Sequence, residues 1–161
     1  MGIPLIGVLR PVPCVASLHF LTLKTRNHVM KLSQATTMLD AAHDEARRRG
    51  VRVCISILDA QAWPMAFIRM DGAPLGVIDV ANRKARTAVL FQMDSADFAR
   101  IGHPAGEAYM LEHTNGGLTS FGGGVVLRAA DGGMLGGIGV SGASTQDDID
   151  IARIAAATLV A

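Results

Sequence analysis

Three charged residues and two glycine-rich segments carry the chemistry open to this sequence. Arg69-Met70-Asp71 closes a strand-like run, so Arg69 and Asp71 point to one side if the strand persists. They could form a solvated pair, or a shared edge facing a ligand. Lys84 falls on the apolar face of a helical pattern, between Ala81, Ala85 and Ala88. A lysine there must snorkel, pair with a carboxylate or face a pocket. Arg69 and Lys84 together could neutralise the carboxylate of an organic acid.

The glycines are the second signal. Of 18 glycines, 11 lie between Gly116 and Gly142, among alternating apolar residues. Phe121-Gly122-Gly123-Gly124 lacks the spacing of a dinucleotide fingerprint, precedes a strand rather than a helix, and lacks the Gly-Lys-Ser/Thr of a phosphate loop. It is either a wall of backbone N–H groups open to a ligand or a bulge that lets a strand bend beneath a helix. Gly139-Val140-Ser141-Gly142 leads into a final helix, whose N-terminus attracts anions. Asp147 and Asp148 already bring negative charge to that turn. Ser141 has no base beside it in sequence, so its use as a nucleophile cannot be read.

Of the 5 histidines, none forms a HExxH or HxH pair, and no Cys/His cluster has zinc spacing. A lone histidine can still ligate haem iron. His43, one residue from the apolar face of the first helix, and His113, before Thr114-Asn115-Gly116-Gly117, are the candidates. Surface or capping roles are the ordinary alternative for both. Cys14 and Cys54 make no CxxC pair, and Cys54 reads as a small buried hydrophobe.

These residues need a scaffold, and the pattern supplies one. Ser33 reads as the N-cap of an amphipathic helix over 33–49, with Arg47-Arg48-Arg49 complementing the dipole and Gly50 as its stop. Residues 51–58 and 64–70 read as a hairpin, and 77–91 as a helix with Arg83 and Arg86 off its apolar face. Residues 94–112 read as short helical turns and loop. A second hairpin follows, 123–128 and 134–140, around the turn signal Asp131-Gly132-Gly133. A last helix, capped by Ser144 or Thr145, runs to 160. Two hairpins imply an antiparallel sheet, and three amphipathic helices must cover it. The fold class is α+β.

Composition narrows function. The chain has 161 residues, half of them hydrophobic, and a net charge of +1, which suits one domain with a buried core. Such a charge offers no field for nucleic acid or an anionic membrane, and 4% aromatics leave few stacking platforms. Neither nucleic acid nor membrane is expected as a partner. Residues 1–29 read as an N-terminal extension, with Arg10, Pro11 and Pro13 interrupting its apolar run. The domain proper is 30–161, and the expected location is cytoplasmic.

Ile55-Ser56-Ile57-Leu58-Asp59, Arg69-Met70-Asp71-Gly72-Ala73, Lys84-Ala85-Arg86-Thr87-Ala88, Phe121-Gly122-Gly123-Gly124 and Ile138-Gly139-Val140-Ser141-Gly142 occur in that order. Over about 30–161 the chain resembles the GlcG/HbpS family, which includes the C-terminal domain of PduO corrinoid adenosyltransferases. The resemblance implies a profilin-like fold, an antiparallel sheet flanked by helices, and assembly into homo-oligomers. It implies haem or tetrapyrrole binding in some members. Two positions depart from the family pattern: Ala60-Gln61-Ala62-Trp63, where a turn glycine is usual, and Val125-Val126, where proline often follows the glycines.

The leading expectation is a small-molecule-binding protein with haem as its ligand, in a pocket lined by Arg69, Asp71, Lys84, Gly122, Gly123, Gly124 and Ser141. An enzyme acting on a small carboxylate or carbonyl compound, with Lys84 or Asp71 as acid or base, is the second. A structural or regulatory homo-oligomer, packed closely through its glycines, is the third.

Overall fold

The computed structural model describes residues 28–159, and Cys14, His19 and most of the expected extension lie outside them. Helix α1 spans Leu32–Arg49, strand β1 Cys54–Asp59, β2 Pro64–Arg69, α2 Val77–Phe91 and α3 Ser95–Gly102. A single 3-10 turn at Leu111–His113 precedes β3, Gly124–Arg128, then β4, Met134–Ser141, and α4, Thr145–Ala157. The α+β expectation holds. No helix among the described residues is long and apolar enough to cross a membrane.

Both hairpins form, and the earlier strand of the first joins the later strand of the second to give one antiparallel sheet of order β2-β1-β4-β3. Alternation along the strands then sorts residues to two faces. Ile55, Ile57, Val125, Leu127, Ile138 and Val140 meet Met38, Ala42 and Ala46 of α1 and Ile151 and Ala152 of α4. Each such fully buried aliphatic side chain contributes about 1.5–3 kcal/mol. The opposite face carries Cys54, Ser56 and Leu58 from β1 and Gly137 and Gly139 from β4, and it receives α2.

Element boundaries shift where backbone groups find other partners. Helix α1 starts one residue before the expected N-cap: Lys31 is the cap, its N–H donating to Gln34 Oε1 at 2.9 Å, and Ser33 lies inside the first turn. Gly50, at φ 70°, stops the helix as expected. Val51 is drawn into that stop, its N–H donating to Ala46 O at 3.0 Å, so β1 begins only at Cys54. Ser144 caps α4, accepting from the Asp147 N–H. That helix ends at Ala157, short of the expected 160.

The glycines of β4 explain how α2 lies so close. A Cβ on Gly139 would run into the Ala81 carbonyl and come within 2.6 Å of the Ala85 nitrogen, and one on Gly137 would fall 2.7 Å from the Ala85 carbonyl. Helix and strand therefore touch backbone to backbone. Gly139→Ala is expected to lower stability by about 1–3 kcal/mol, the usual cost of overpacking, seen as a reduced urea midpoint at unchanged slope. Gly76→Ala is the control, because its new Cβ meets nothing within 4 Å. Equal midpoints for the two variants would refute the close-packing role.

On the other face, charges fasten α1 to α4. Arg49 donates to Glu45 at 2.6 Å, to Asp147 at 2.8 Å and to Asp150 at 3.2 Å. Hydrogen bonds from Arg48 and then Arg49 lower the Glu45 pKa from 4.5 to about 2. A depressed carboxylate pKa adds stability that is present above the unfolded value and lost as pH falls through the folded one. Stability measured from pH 5 downward should therefore decline, and Glu45→Gln should flatten that decline between 4.5 and about 2.

Candidate functional site

Lys84, Gly122, Gly123, Gly124 and Ser141 do come together in space. They surround a buried ion pair rather than a cavity. Lys84 is fully buried, and its Nζ donates to Asp148 Oδ2 at 2.7 Å and to Val140 O at 2.9 Å. The ring of Phe121 lies 4.9 Å from the same nitrogen, within cation–π range. Asp148 completes its own partners by accepting the Ala143 N–H at 3.1 Å. Of the three fates open to a lysine on an apolar helix face, this one pairs.

Gly123 makes the pairing fit. Its φ is +115°, and a Cβ there would lie 2.8 Å from Lys84 Nζ and 2.6 Å from Val140 O. Gly122 and Gly124 are covered by Ile149 of α4 and by the Lys84 backbone of α2. The triple glycine is thus the gap at the start of β3 through which α2 reaches α4. Ser141 is 4% exposed and stands in register with Cys54, which stands in register with Arg69. Cys54 is buried, as its sequence context suggests, and burial pushes its thiol pKa up.

Asp71 goes elsewhere. It lines an open cleft of about 430 Å³ with His43 and Arg47 of α1, Gly50, Val51 and Arg52 of the connection to β1, and Met70. The C-terminal turn of α1 and the end of β2 meet there because the hydrogen bond from Met70 N–H to Val53 O, 3.1 Å, carries the strand pairing past β2. His43 is 31% exposed, its Nδ1 3.9 Å from an Asp44 oxygen. Neither Arg47 nor Arg52 has a carboxylate partner among the described residues. Arg52, exposed, passes over Gly72, where a Cβ would lie 3.0 Å from Arg52 Cδ. Arg69 is exposed beside this cleft's strand but is not part of its lining, and His113 is exposed beside Glu112. Arg47, Arg52 and Met70 carry no local signal that separates them from surface charges and a strand-end methionine; only the meeting of α1 with β2 does.

The molecule is therefore a three-layer α+β domain with a sealed ionic centre and, at its rim, an open cleft lined by Arg47 and Arg52. The chain belongs to the HbpS-like family: the family model described as "Haem degrading protein HbpS-like" matches residues 30–157. It is 37% identical over 120 residues to the corrinoid adenosyltransferase PduO of Salmonella typhimurium, covering 74% of this chain and 35% of that protein. The chain spans well under half the length of the corrinoid adenosyltransferases it matches. Among solved structures, Klebsiella pneumoniae protein ORFY superposes with a TM-score of 0.79 at 26% identity, covering 82% of this chain and 91% of that one. The PduOC:heme complex superposes with a TM-score of 0.76 at 33% identity, covering 80% and 94%.

The ionic centre is testable by a double-mutant cycle. Burial is the larger influence on both partners, pushing the Lys84 ammonium pKa down and the Asp148 carboxyl pKa up, with the pair itself opposing both. Asp148→Asn and Lys84→Met should each destabilise by about 3–5 kcal/mol, because each strands a buried charge. The double variant should lose clearly less than the sum. Additive losses in urea unfolding would show that the two charges do not depend on each other.

Proposed function

We propose that this protein binds haem, and that the cleft at the end of α1 holds it. The observation that carries the reading is the donor set. His43 offers an imidazole nitrogen and Met70 a thioether, both of which serve as axial ligands of haem iron. Arg47 and Arg52, without carboxylate partners among the described residues, suit the two propionates of the macrocycle. The family model and the haem complex of a structural relative support the same ligand. Bound there, haem would supply an iron centre able to change oxidation state or take an exogenous ligand. The chain's own part would be to hold that group at an open rim, with His43 and Met70 as donors to the iron and Arg47 and Arg52 toward the propionates.

Asp71, also in the lining, gives the cleft one negative edge and favours a fixed orientation of the ligand. Arg69 and His113 lie outside this lining, and Lys84, Gly122, Gly123, Gly124 and Ser141 serve the packing of α2, β3, β4 and α4 rather than the ligand. Assembly into a homo-oligomer belongs to the same proposal. It draws support from the exposed Phe67, Leu75, Leu90 and Tyr109, apolar surface that a second copy would cover, and sedimentation velocity reads it.

Titration of the purified chain with haemin should give a Soret shift that saturates at a fixed stoichiometry. His43→Ala should weaken binding by about tenfold or more and change the spectrum of what remains, since an axial ligand is lost. Arg47→Ala with Arg52→Ala should weaken binding without that spectral change, and His113→Ala should leave both unaltered. An unsaturable shift, or a spectrum indifferent to His43→Ala, overturns the assignment.

A further inference from the structure

A second cleft, of about 440 Å³, lies at the opposite end of the first hairpin. Leu58, Ala62, Trp63 and Pro64 line one side, Asp79, Asn82, Arg83 and Arg86 of α2 another, and the Asn115-Gly116-Gly117 loop the third. No histidine, cysteine or methionine is among these residues, so the cleft offers haem iron no side-chain ligand. We propose that it binds a planar aromatic monoanion, a one- or two-ring carboxylate, stacked on Trp63 and neutralised by Arg86.

The arginines are held in advance of any ligand. Arg83 Nε donates to Asp79 Oδ2 at 2.5 Å and its Nη1 to Gly116 O at 3.2 Å, while Arg86 Nη2 donates to Asn115 O at 3.2 Å. Two neighbouring carbonyls of one loop thus receive two guanidinium groups one helical turn apart. Gly117, at φ +99°, lets the loop lie this close, since a Cβ there would occupy the place of Arg83 Nη1. Asp79 answers the charge of Arg83, but Arg86 has no carboxylate partner among the described residues. Only one Nη2 hydrogen has a protein acceptor among the described residues, which leaves an adjacent pair of N–H donors on the guanidinium and room in the cleft for one further negative charge. A guanidinium with two free donors suits a carboxylate better than a point-like anion.

Trp63 supplies the other half of the recognition. It is 70% exposed, yet its backbone is fixed: its N–H donates to Asp59 Oδ1 and its carbonyl accepts from Asp59 N–H, both at 2.9 Å. An exposed indole on a fixed backbone, lining the same cleft as an arginine, is a stacking platform for a flat ring. The walls add apolar contact through Leu58, Ala62 and Pro64, and Asn82 is spoken for, bonded to Ser56 and to Ile78 O. Mostly apolar walls with a few fixed polar groups are the usual make-up of a small-molecule site.

The sequence has 1 tryptophan, so one indole N–H resonance reports this cleft alone. Titration of the ¹⁵N-labelled chain with 2-naphthoate should move that resonance saturably, with no change in sedimentation. Removing the charge (2-naphthamide), the aromatic ring (cyclohexanecarboxylate) or the cation (Arg86→Ala) should each weaken binding by about tenfold or more, the worth of a hydrogen bond to a charged group or a stacked ring. Arg86→Lys should recover part of the loss. Arg86 is exposed, and an unaltered urea midpoint confirms that its variants fold. Haemin added beforehand should not displace 2-naphthoate, which separates this site from the haem cleft. Equal binding of the amide, indifference to Arg86→Ala, or displacement by haemin would overturn the proposal.

Discussion

The Lys84 ammonium occupies a point where three elements must agree. It leaves α2, passes the opening that Gly123 provides at the start of β3, and meets Asp148 of α4 from the other side of the sheet. A charge so fully buried is tolerated only with an opposite charge beside it and further hydrogen bonds. Asp148 supplies the partner, and the Val140 carbonyl takes a second donor. The consequence reaches beyond the pair. Because α2 touches β4 backbone to backbone, the position of Lys84 is set by the Ala81 and Ala85 contacts with Gly137 and Gly139. Register, helix height and ion pair are therefore one constraint, and a shift in any of them strands a charge.

The parts of the fold that were legible in the sequence are those governed by local periodicity and turn chemistry. The three expected helices and two hairpins fall close to the segments where apolar spacing and turn signals place them, and α3 forms within the stretch read as short helical turns and loop. Misplaced ends have local causes too: Gln34 reaches back to Lys31, and Val51 closes α1 instead of opening β1. The glycine cluster was legible as close approach, but not what approaches. Its answer lies in Lys84 and Asp148, 64 residues apart in the chain, a separation that no spacing rule encodes. Lys84 itself was conspicuous because a lysine among alanines defies the helical pattern. Asp148 hid among residues that look like a routine acidic first turn.

The clefts were illegible for a related reason. Each is assembled from segments distant in sequence, and each of their charged residues is unremarkable where it stands. Arg83 and Arg86 look like the solvated face of α2 until the loop at Asn115 and Gly116 lies down across them. Arg47 and Arg52 look like dipole complement and loop charge until the turn after β2 brings Asp71 beside them. Even the departure from the family pattern at Ala60-Gln61-Ala62-Trp63 reads as a turn variant, although it mounts an exposed indole on a fixed backbone.

The arrangement separates rigidity from chemistry. The sheet's centre is sealed by small residues and a satisfied ion pair, so it offers no room for a ligand and little freedom to move. Chemistry-bearing side chains are displaced to the two ends of the β1–β2 hairpin, Arg52, Met70 and Asp71 at one end and Leu58, Trp63 and Pro64 at the other. At about 3.3 Å per residue, the six residue steps from Arg52 to Leu58 put these ends roughly 20 Å apart. That distance exceeds a Debye length at physiological salt, about 8 Å, so charge at one cleft is screened from the other through solvent. The strand that runs between them, β1, is paired with β4 along its whole length, and its Leu58 packs against Ala85 and Val89 of α2.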